Sequence, residues 1–214
     1  MKHDTALGRA IEQQSFDHID AHCPEKNYPP RQWPLVRRLI HTSGDLSFNG
    51  LVEFHPAAME TACEAIRRGC PIVVDVNMVA AGISQPRLAR CGNRLYHFMS
   101  DPQVAIKATE EGTTRAVQAM RHAARLGLLQ GGIVAIGNAP TALLEVLRLA
   151  REESIRPALV VGTPVGFVSA AESKEELAAQ YDIPWIITRG SKGGSTLTVA
   201  ALHALLDDGH EAQP

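Results

Sequence analysis

The amino-acid sequence predicts an α/β fold in which helices cover both faces of an open, doubly wound, mostly parallel sheet. Five short runs, rich in apolar and β-branched residues, have the composition of strands buried on both faces. They are PIVVDVN, RLYHFM, GIVAIGN, ALVVGTPVGF and PWIITRG. Helical patterns separate the later runs, and such alternation indicates parallel strands joined by right-handed crossovers. We therefore expect a five-stranded sheet flanked by helices.

The chain begins with a helical pattern rather than a strand. Between Thr5 and Ala21, apolar residues recur at helical spacing, so we expect Leu7, Ile11, Phe16 and Ile19 to share one face of a first helix. The next stretch, CPEKNYPPRQWP, predicts irregular chain, because proline removes backbone donors and restricts its neighbours.

Glycine and proline mark the limits of the next two helices. PLVRRLIHTSG predicts a second helix that ends near Gly44. HPAAMETACEAIRRG predicts a third, with Pro56 in its first turn and Gly69 at its end. Later helical patterns are PQVAIKATEEGTTRAVQAMRHAARLG, PTALLEVLRLAREE, AAESKEELAAQ and GSTLTVAALHALLDDG. The length fits one domain over residues 1–214, with residues 1–50 as a helical extension packed on it.

Composition excludes several classes of protein. The net charge of −2 gives no electrostatic footprint for nucleic acid, and no apolar run approaches the length of a membrane span. The N-terminus lacks the apolar core of a signal peptide. The four cysteines lack the C-x-x-C spacing of a metal or redox site, which favours thiols in a reducing compartment. We expect a cytoplasmic protein.

Ligands of open α/β sheets bind beyond the carboxyl ends of the strands, which selects the stretches DVNMVAAG, GNAPTA, GTPVGF and TRGSKGGST. In GNAPTA, Asn138 follows a strand and Pro140 begins a helix, so the free N–H groups there are expected to suit an anion. In TRGSKGGST, three glycines permit close approach, while Arg189 and Lys192 add charge. The alternative is that the glycines only permit tight turns and that Asn138 only caps a helix.

Known phosphate and metal motifs are missing from the sequence. Neither G-x-x-x-x-G-K-[ST] nor a G-x-G-x-x-G after a strand is present, and H-E-x-x-H and G-x-S-x-G are also missing. We therefore expect no bound metal and no cofactor. Several separated basic groups instead suit a large polycarboxylate ligand.

The histidines differ in their local setting. His41 follows two arginines in RRLIHTSGD and precedes Gly44, so it is either an ordinary residue of a helix end or a proton donor at the mouth of a cleft. A structural role is the simpler interpretation of the other histidines in predicted elements, which are His55, His97, His122 and His203.

Six stretches together resemble the precorrin-8X methylmutase family of cobalamin biosynthesis. They are VRRLIHTSGD, PIVVDVNMVAAGI, GTTRAVQAM, GGIVAIGNAPTALLEVL, RPALVVGTPVGFVSAAESKEEL and TRGSKGGSTLTVAALHALL. The resemblance runs from the helix containing Ser15 to the last helix. It implies a flavodoxin-like sheet, a homodimer and no added cofactor. It also implies an isomerase that moves a methyl group from C11 to C12 of a polycarboxylate corrin. The product is hydrogenobyrinic acid, or cobyrinic acid when cobalt is present.

The resemblance assigns roles to individual residues. His41 matches the catalytic histidine in the V-R-x-x-I/V-H stretch. Ser15, Arg38 and Arg115 match substrate-contacting positions. We hypothesise that His41 donates a proton or hydrogen bond to the ring C nitrogen, which is general acid catalysis.

The loops around Asn138 and Lys192, together with the arginines, would hold peripheral carboxylates. HALL departs from the N-A-L ending that is usual in the family, so the role of that helix face, which contains His203, stays open.

Three other functions remain open at this level. The same fold could serve a non-catalytic corrinoid carrier that hands pigment to neighbouring pathway enzymes. It could also serve a transferase that uses a nucleotide or phosphate, although the missing fingerprints argue against this. An interaction protein is the third, and two glycine-rich loops with adjoining charges argue against it.

Overall fold

The computed structural model describes residues 5–211, without the side chain of Glu211. It contains one six-stranded sheet with the order β1-β6-β5-β4-β2-β3. The strands are β1 (Val52–Phe54), β2 (Pro71–Val74), β3 (Arg94–Tyr96), β4 (Ile133–Ile136), β5 (Leu159–Gly162) and β6 (Trp185–Thr188). Strands β2 to β6 are parallel, whereas β1 pairs with β6 in the antiparallel direction. The predicted class, a mostly parallel α/β sheet, is confirmed.

The helices precede, separate and follow these strands. They are α1 (Ala6–His22), α2 (Trp33–Ser43), α3 (Ala58–Arg67), α4 (Asn77–Gly82), α5 (Gln85–Cys91), α6 (Pro102–Glu110), α7 (Arg115–Arg125), α8 (Pro140–Glu152), α9 (Ala170–Ala178) and α10 (Ser195–Glu211), with a short 3₁₀ turn at Leu46–Phe48. Within residues 5–211, no helix combines the length and apolar character needed to cross a membrane.

Strands β2 to β6 contribute alternate residues to two cores, one on each face of the sheet. Ile72 and Val74 of β2 pack with α1 to α5 and α10, whereas Val73 packs with α6 to α9. The same alternation separates Ile133 from Val134 in β4. Burial on both faces explains why these strands are almost continuously apolar in sequence.

The parallel strands follow the flavodoxin-like order, since β2 lies between β3 and β4. Strand order therefore reverses between β2 and β4, and ligands of such sheets bind at the carboxyl ends of strands at this point. Asp75 directly follows β2, and Gly137 directly follows β4.

Four local predictions need correction. A sixth strand, β1, lies at one edge, and at three residues it is too short to show a strand pattern in sequence. One long predicted helix is two, α6 and α7, because the chain turns at Gly112 with φ of +62°. The short helices α4 and α5 were not among the predicted helices. In α1 only Phe16 and Ile19 are buried, whereas Leu7 and Ile11 are exposed.

Candidate active site

His41 lies in the last turn of α2, where the left-handed Gly44 (φ +65°) ends the helix. Its side chain is exposed rather than packed in the core. Ser15 Oγ of α1 lies 2.7 Å from His41 Nδ1, and the Phe16 ring meets the imidazole edge-on with 5.3 Å between centroids. The structure thus brings the predicted residues Ser15 and His41 together and fixes the plane of the ring.

The Ser15 contact also bears on the tautomer of His41. If the Ser15 hydroxyl donates to Nδ1, the neutral imidazole carries its proton on Nε2. Nε2 has no hydrogen-bond partner in the described part of the chain. In this arrangement the ring presents an N–H donor to the open side of the helix end.

Arg38 lies one turn before His41 and joins three helices. Its guanidinium contacts Glu12 of α1 at 3.1 Å and Asp207 of α10 at 3.5 Å, and only 17% of its side chain is exposed. Two carboxylates therefore already share its charge. Arg38 ties α2 to α1 and α10, and only a small part of its surface remains exposed.

A cavity of about 470 Å³ opens beside this cluster, between α2, α4 and α10. Its lining includes Arg38, Thr42, Met78, Ser195, Thr196 and His203. A larger cavity of about 810 Å³ lies along β3 and α5, and it contains none of the predicted site residues. We place the site at the smaller cavity because it adjoins His41 through Arg38 and Thr42.

The start of α8 differs from the prediction. The carboxylate of Asp75 accepts hydrogen bonds from the backbone N–H groups of Gly137, Asn138 and Ala139, at 3.0, 2.8 and 2.9 Å. The prediction that these groups are free for an anionic ligand is therefore wrong. Burial raises the pKa of the Asp75 carboxyl, although the three N–H donors oppose the rise. The Asn138 side chain itself is exposed.

Arg115 begins α7 at the same edge of the sheet. Thr114, which caps α7, and Thr141, in the first turn of α8, lie 3.1 Å apart through their hydroxyls. The two helix starts are therefore adjacent, which brings Arg115 near Asn138. The Arg115 side chain is exposed and makes no ion pair within residues 5–211.

The two groups of residues lie on one continuous surface. A Cβ added at Gly137 would meet Thr198 Oγ1 at 2.4 Å and Ser195 Cα at 3.0 Å, so the starts of α8 and α10 are in close contact. Ser195 also lines the cavity beside Arg38. The surface therefore runs from α2, over the start of α10, to the starts of α8 and α7.

Lys192 is engaged in contacts of its own. Its ammonium group pairs with the Asp45 carboxylate and lies 2.8 Å from Ser47 Oγ, just after α2. This contact lowers the pKa of Asp45 to about 2. The Lys192 backbone carbonyl accepts hydrogen bonds from Lys174 Nζ at 2.9 Å and Thr188 Oγ1 at 2.7 Å. The glycine-rich loop is therefore held from both sides.

Two residues of the site were not predicted from sequence. Asp75 had a usable signal, because a carboxylate that ends a buried strand needs several donors. His203 had none, since the sequence does not show which face of α10 adjoins a cavity. His203 Nε2 accepts a hydrogen bond from the Ser84 N–H at 3.0 Å. Burial and neighbouring cations lower the pKa of His203 to about 4.

No cluster of three or more His, Cys, Asp or Glu side chains suited to a metal ion occurs in residues 5–211. The donors at the surface are instead an imidazole, guanidinium groups, hydroxyls and an amide. Such a set can hydrogen-bond an anionic ligand and exchange one proton with it.

Comparisons with known proteins agree with this chemistry. The sequence model of the precorrin-8X methylmutase family matches residues 10–208. The chain is 46% identical to the cobalt-precorrin-8 methylmutase of Leptospira interrogans, with 96% of each chain covered. It is 40% identical to the precorrin-8X methylmutase of Pseudomonas aeruginosa, over 92% of this chain and 94% of that protein.

A solved structure has the same fold. The crystal structure of the precorrin-8X methylmutase from Thermus thermophilus superposes with a TM-score of 0.89 at 44% identity, covering 95% of this chain and 97% of that one. The match of fold, length and sequence leads to one conclusion: the chain belongs to the precorrin-8X methylmutase family and is an isomerase of cobalamin biosynthesis.

Proposed function

We propose that this isomerase moves a methyl group from C11 to C12 of precorrin-8X, or of its cobalt form, and that His41 is the proton donor. The observation that carries the proposal is the contact between Ser15 Oγ and His41 Nδ1 at 2.7 Å, on an exposed helix end beside a cavity. A methyl shift around a conjugated ring needs no nucleophile. It needs the ring held in one geometry and its electron distribution biased.

His41 supplies that bias through its second ring nitrogen. With Nδ1 held by Ser15, Nε2–H donates a proton or a strong hydrogen bond to the ring C nitrogen of the substrate. This favours migration of the methyl group and stabilises the product tautomer. General acid catalysis of this kind contributes typically ~10²–10⁴-fold to a rate. Ser15 acts as a positioning residue, because it sets the tautomer and the plane of the imidazole.

Other residues orient the carboxylate side chains of the substrate. Arg115 is suited to this role because its side chain is exposed and makes no ion pair in the described structure. Asn138 offers its side-chain amide at the same edge. Arg38 and Lys192 would share their charge between a substrate carboxylate and the acidic groups they already contact. Several separated contacts hold the substrate in one orientation, which lowers the entropic part of the barrier to the methyl shift.

The direct test is the His41→Ala variant with precorrin-8X and with its cobalt form. We expect turnover, measured by the change in absorbance, to fall ~10²-fold or more. Because the reaction is an isomerisation, the product formed by the wild type should have the same mass as the substrate. His55→Asn is the control, since His55 lies beside the start of β6 at the opposite edge of the sheet. Turnover of His41→Ala within a few-fold of wild type would exclude the proton-donor role.

The carboxylate contacts predict a tight, coloured product complex that is sensitive to salt. A site complementary to the rearranged ring binds its product tightly, and salt screens contacts between charges. Arg115→Ala should weaken binding of hydrogenobyrinic acid and reduce its salt dependence. If the affinity of the wild type for hydrogenobyrinic acid does not change with ionic strength, the proposed carboxylate contacts are wrong.

The enzyme is further proposed to act as a homodimer in the cytoplasm and to pass its product to neighbouring enzymes of the pathway. The loop after β5 supports a contact surface, because Phe167 and Val168 are 96% and 82% exposed. Light scattering on the wild type should give the mass of a dimer. For Phe167→Asp the measured mass should fall toward that of a monomer. A wild-type monomer at working concentration would refute the dimer.

A corrinoid carrier is the alternative function on the same surface. A carrier would bind the corrin without changing its spectrum, and His41→Ala would bind it equally well. The family and its named relatives favour the enzyme.

A further inference from the structure

His203 lies in the middle of α10 and lines the cavity of about 470 Å³ that also contains Arg38. One ring nitrogen is already engaged, since Nε2 accepts a hydrogen bond from the backbone N–H of Ser84 at 3.0 Å. A backbone N–H can only donate, so Nε2 must keep its lone pair. The ring is therefore neutral, and its proton is on Nδ1.

The second nitrogen, Nδ1, is available to a ligand. Nδ1 has no hydrogen-bond partner in residues 5–211. It is not fully enclosed by protein either. His203 is half-buried, so Nδ1 reaches accessible space. The His203 side chain lines the cavity between α2, α4 and α10, so a ligand in this cavity lies against the ring.

The surroundings of His203 also favour a neutral ring. Burial lowers its pKa most, Arg87 on α5 and Arg38 on α2 add to this effect, and Asp207, one turn further along α10, opposes it. Asp207 is itself shared among Arg38, Arg87 and Arg90, at 3.5, 3.0 and 2.8 Å. The local balance is cationic, which suits an acceptor with negative charge.

We propose that His203 is a substrate-binding residue whose Nδ1–H donates to a carboxylate side chain of the corrin seated in this cavity. The proposal rests on the proposed function and adds a contact to it. The apolar wall formed by Met78, Ala81 and Val199 accommodates the methylene groups of an acetate or propionate arm. The imidazole and the exposed part of Arg38 receive the carboxylate at its end.

Two substitutions separate a contact with the substrate from a structural role. His203→Phe removes the donor but keeps a planar ring, so KM for precorrin-8X and Kd for hydrogenobyrinic acid should rise ~10-fold, with kcat within about threefold. His203→Asn keeps an N–H donor and should recover most of the affinity. His55→Asn should leave both constants unchanged. Equal affinity of His203→Phe and wild type overturns the proposal.

A measurement on the wild type decides the matter if His203→Phe does not fold. In protein labelled with ¹⁵N-histidine, the His203 signals should report a neutral ring with its proton on Nδ1. Hydrogenobyrinic acid should shift the Nδ1 signal and slow exchange of its proton. Product binding without a change at Nδ1 overturns this inference alone. A wild type that neither binds nor isomerises the corrin overturns the proposed function as well.

Discussion

Ser15 Oγ and His41 Nδ1 are 2.7 Å apart although 26 positions separate them in the chain. The contact joins α1 to the last turn of α2, and the second imidazole nitrogen has no hydrogen-bond partner within residues 5–211. Removing the hydroxyl should therefore change the chemistry of His41 more than the affinity for the substrate.

We predict that Ser15→Ala lowers kcat about 10-fold with little change in KM, since one orienting hydrogen bond is worth on the order of 1 kcal/mol. Ser43→Ala is a matched control in the same region, because the Ser43 hydroxyl bonds carbonyls within α2 and not His41. Steady-state turnover of precorrin-8X provides the measurement. A Ser15→Ala enzyme with the kcat of wild type would show that the contact has no catalytic role.

Asp75 is predicted to stabilise the protein by receiving three backbone N–H groups at the start of α8. Asp75→Asn replaces one acceptor oxygen with a donor, so at least one buried N–H loses its partner. We expect a loss of roughly 2–4 kcal/mol in the free energy of unfolding, measured by urea titration. Asp101→Asn, at the exposed cap of α6, should cost about 1 kcal/mol or less. Similar losses in the two variants would contradict this assignment.

His203 makes the stability of the fold depend on pH. Its pKa is lowered from 6.5 to about 4 in the folded chain, so only the unfolded chain binds the proton between these values. The contribution of His203 to stability is therefore fully present above about pH 6.5 and is lost as the pH drops toward 4. When the pH is lowered from about 7.5 to about 5, this residue should reduce the free energy of unfolding by an amount on the order of 1–2 kcal/mol. In His203→Asn, the free energy of unfolding should decline less over this pH range, as measured by urea titration at each pH. An equal decline in the variant and the wild type would refute the role of His203.

Lys174 predicts a pH effect at the alkaline end. It is 1% exposed, donates to the Lys192 carbonyl, and burial lowers its pKa from 10.5 to about 8. Between these values the unfolded chain binds the proton that the folded chain releases, so stability should rise with pH. Lys174→Met should remove the rise, as seen by calorimetry at about pH 8 and about pH 10. If stability still rises with pH in Lys174→Met, other groups cause the rise.

The sequence predicted the sheet well because β2 and β4 to β6 are buried on both faces. Ile72 and Val73, for example, belong to opposite cores, so neither position tolerates a polar residue. The strand β1 escaped prediction because Val52–Phe54 is too short to show periodicity. Gly112 marks the break between α6 and α7, but an isolated glycine inside a helical pattern is ambiguous. The treatment of residues 1–50 as an extension of one domain stays a prediction.

The site was less accessible to prediction, for reasons of distance along the chain. The proximity of Ser15 to His41 came only from the family resemblance, since neither residue signals the other locally. The amides at Asn138 were expected to be free because the partner carboxylate, Asp75, lies 63 residues earlier. His203 could not be assigned to the cavity without knowing how α10 packs against α2 and α4.

Arg38 and Asp207 are 169 positions apart, and α10 is a main packing partner of the helix that bears His41. During synthesis on the ribosome, α2 therefore emerges long before the surface on which it comes to rest. A nascent chain that stops short of Ser195 contains His41 but lacks the α10 wall of the cavity beside it. A complete cavity therefore forms only when translation is nearly finished, so any ligand that binds there meets an almost full-length chain.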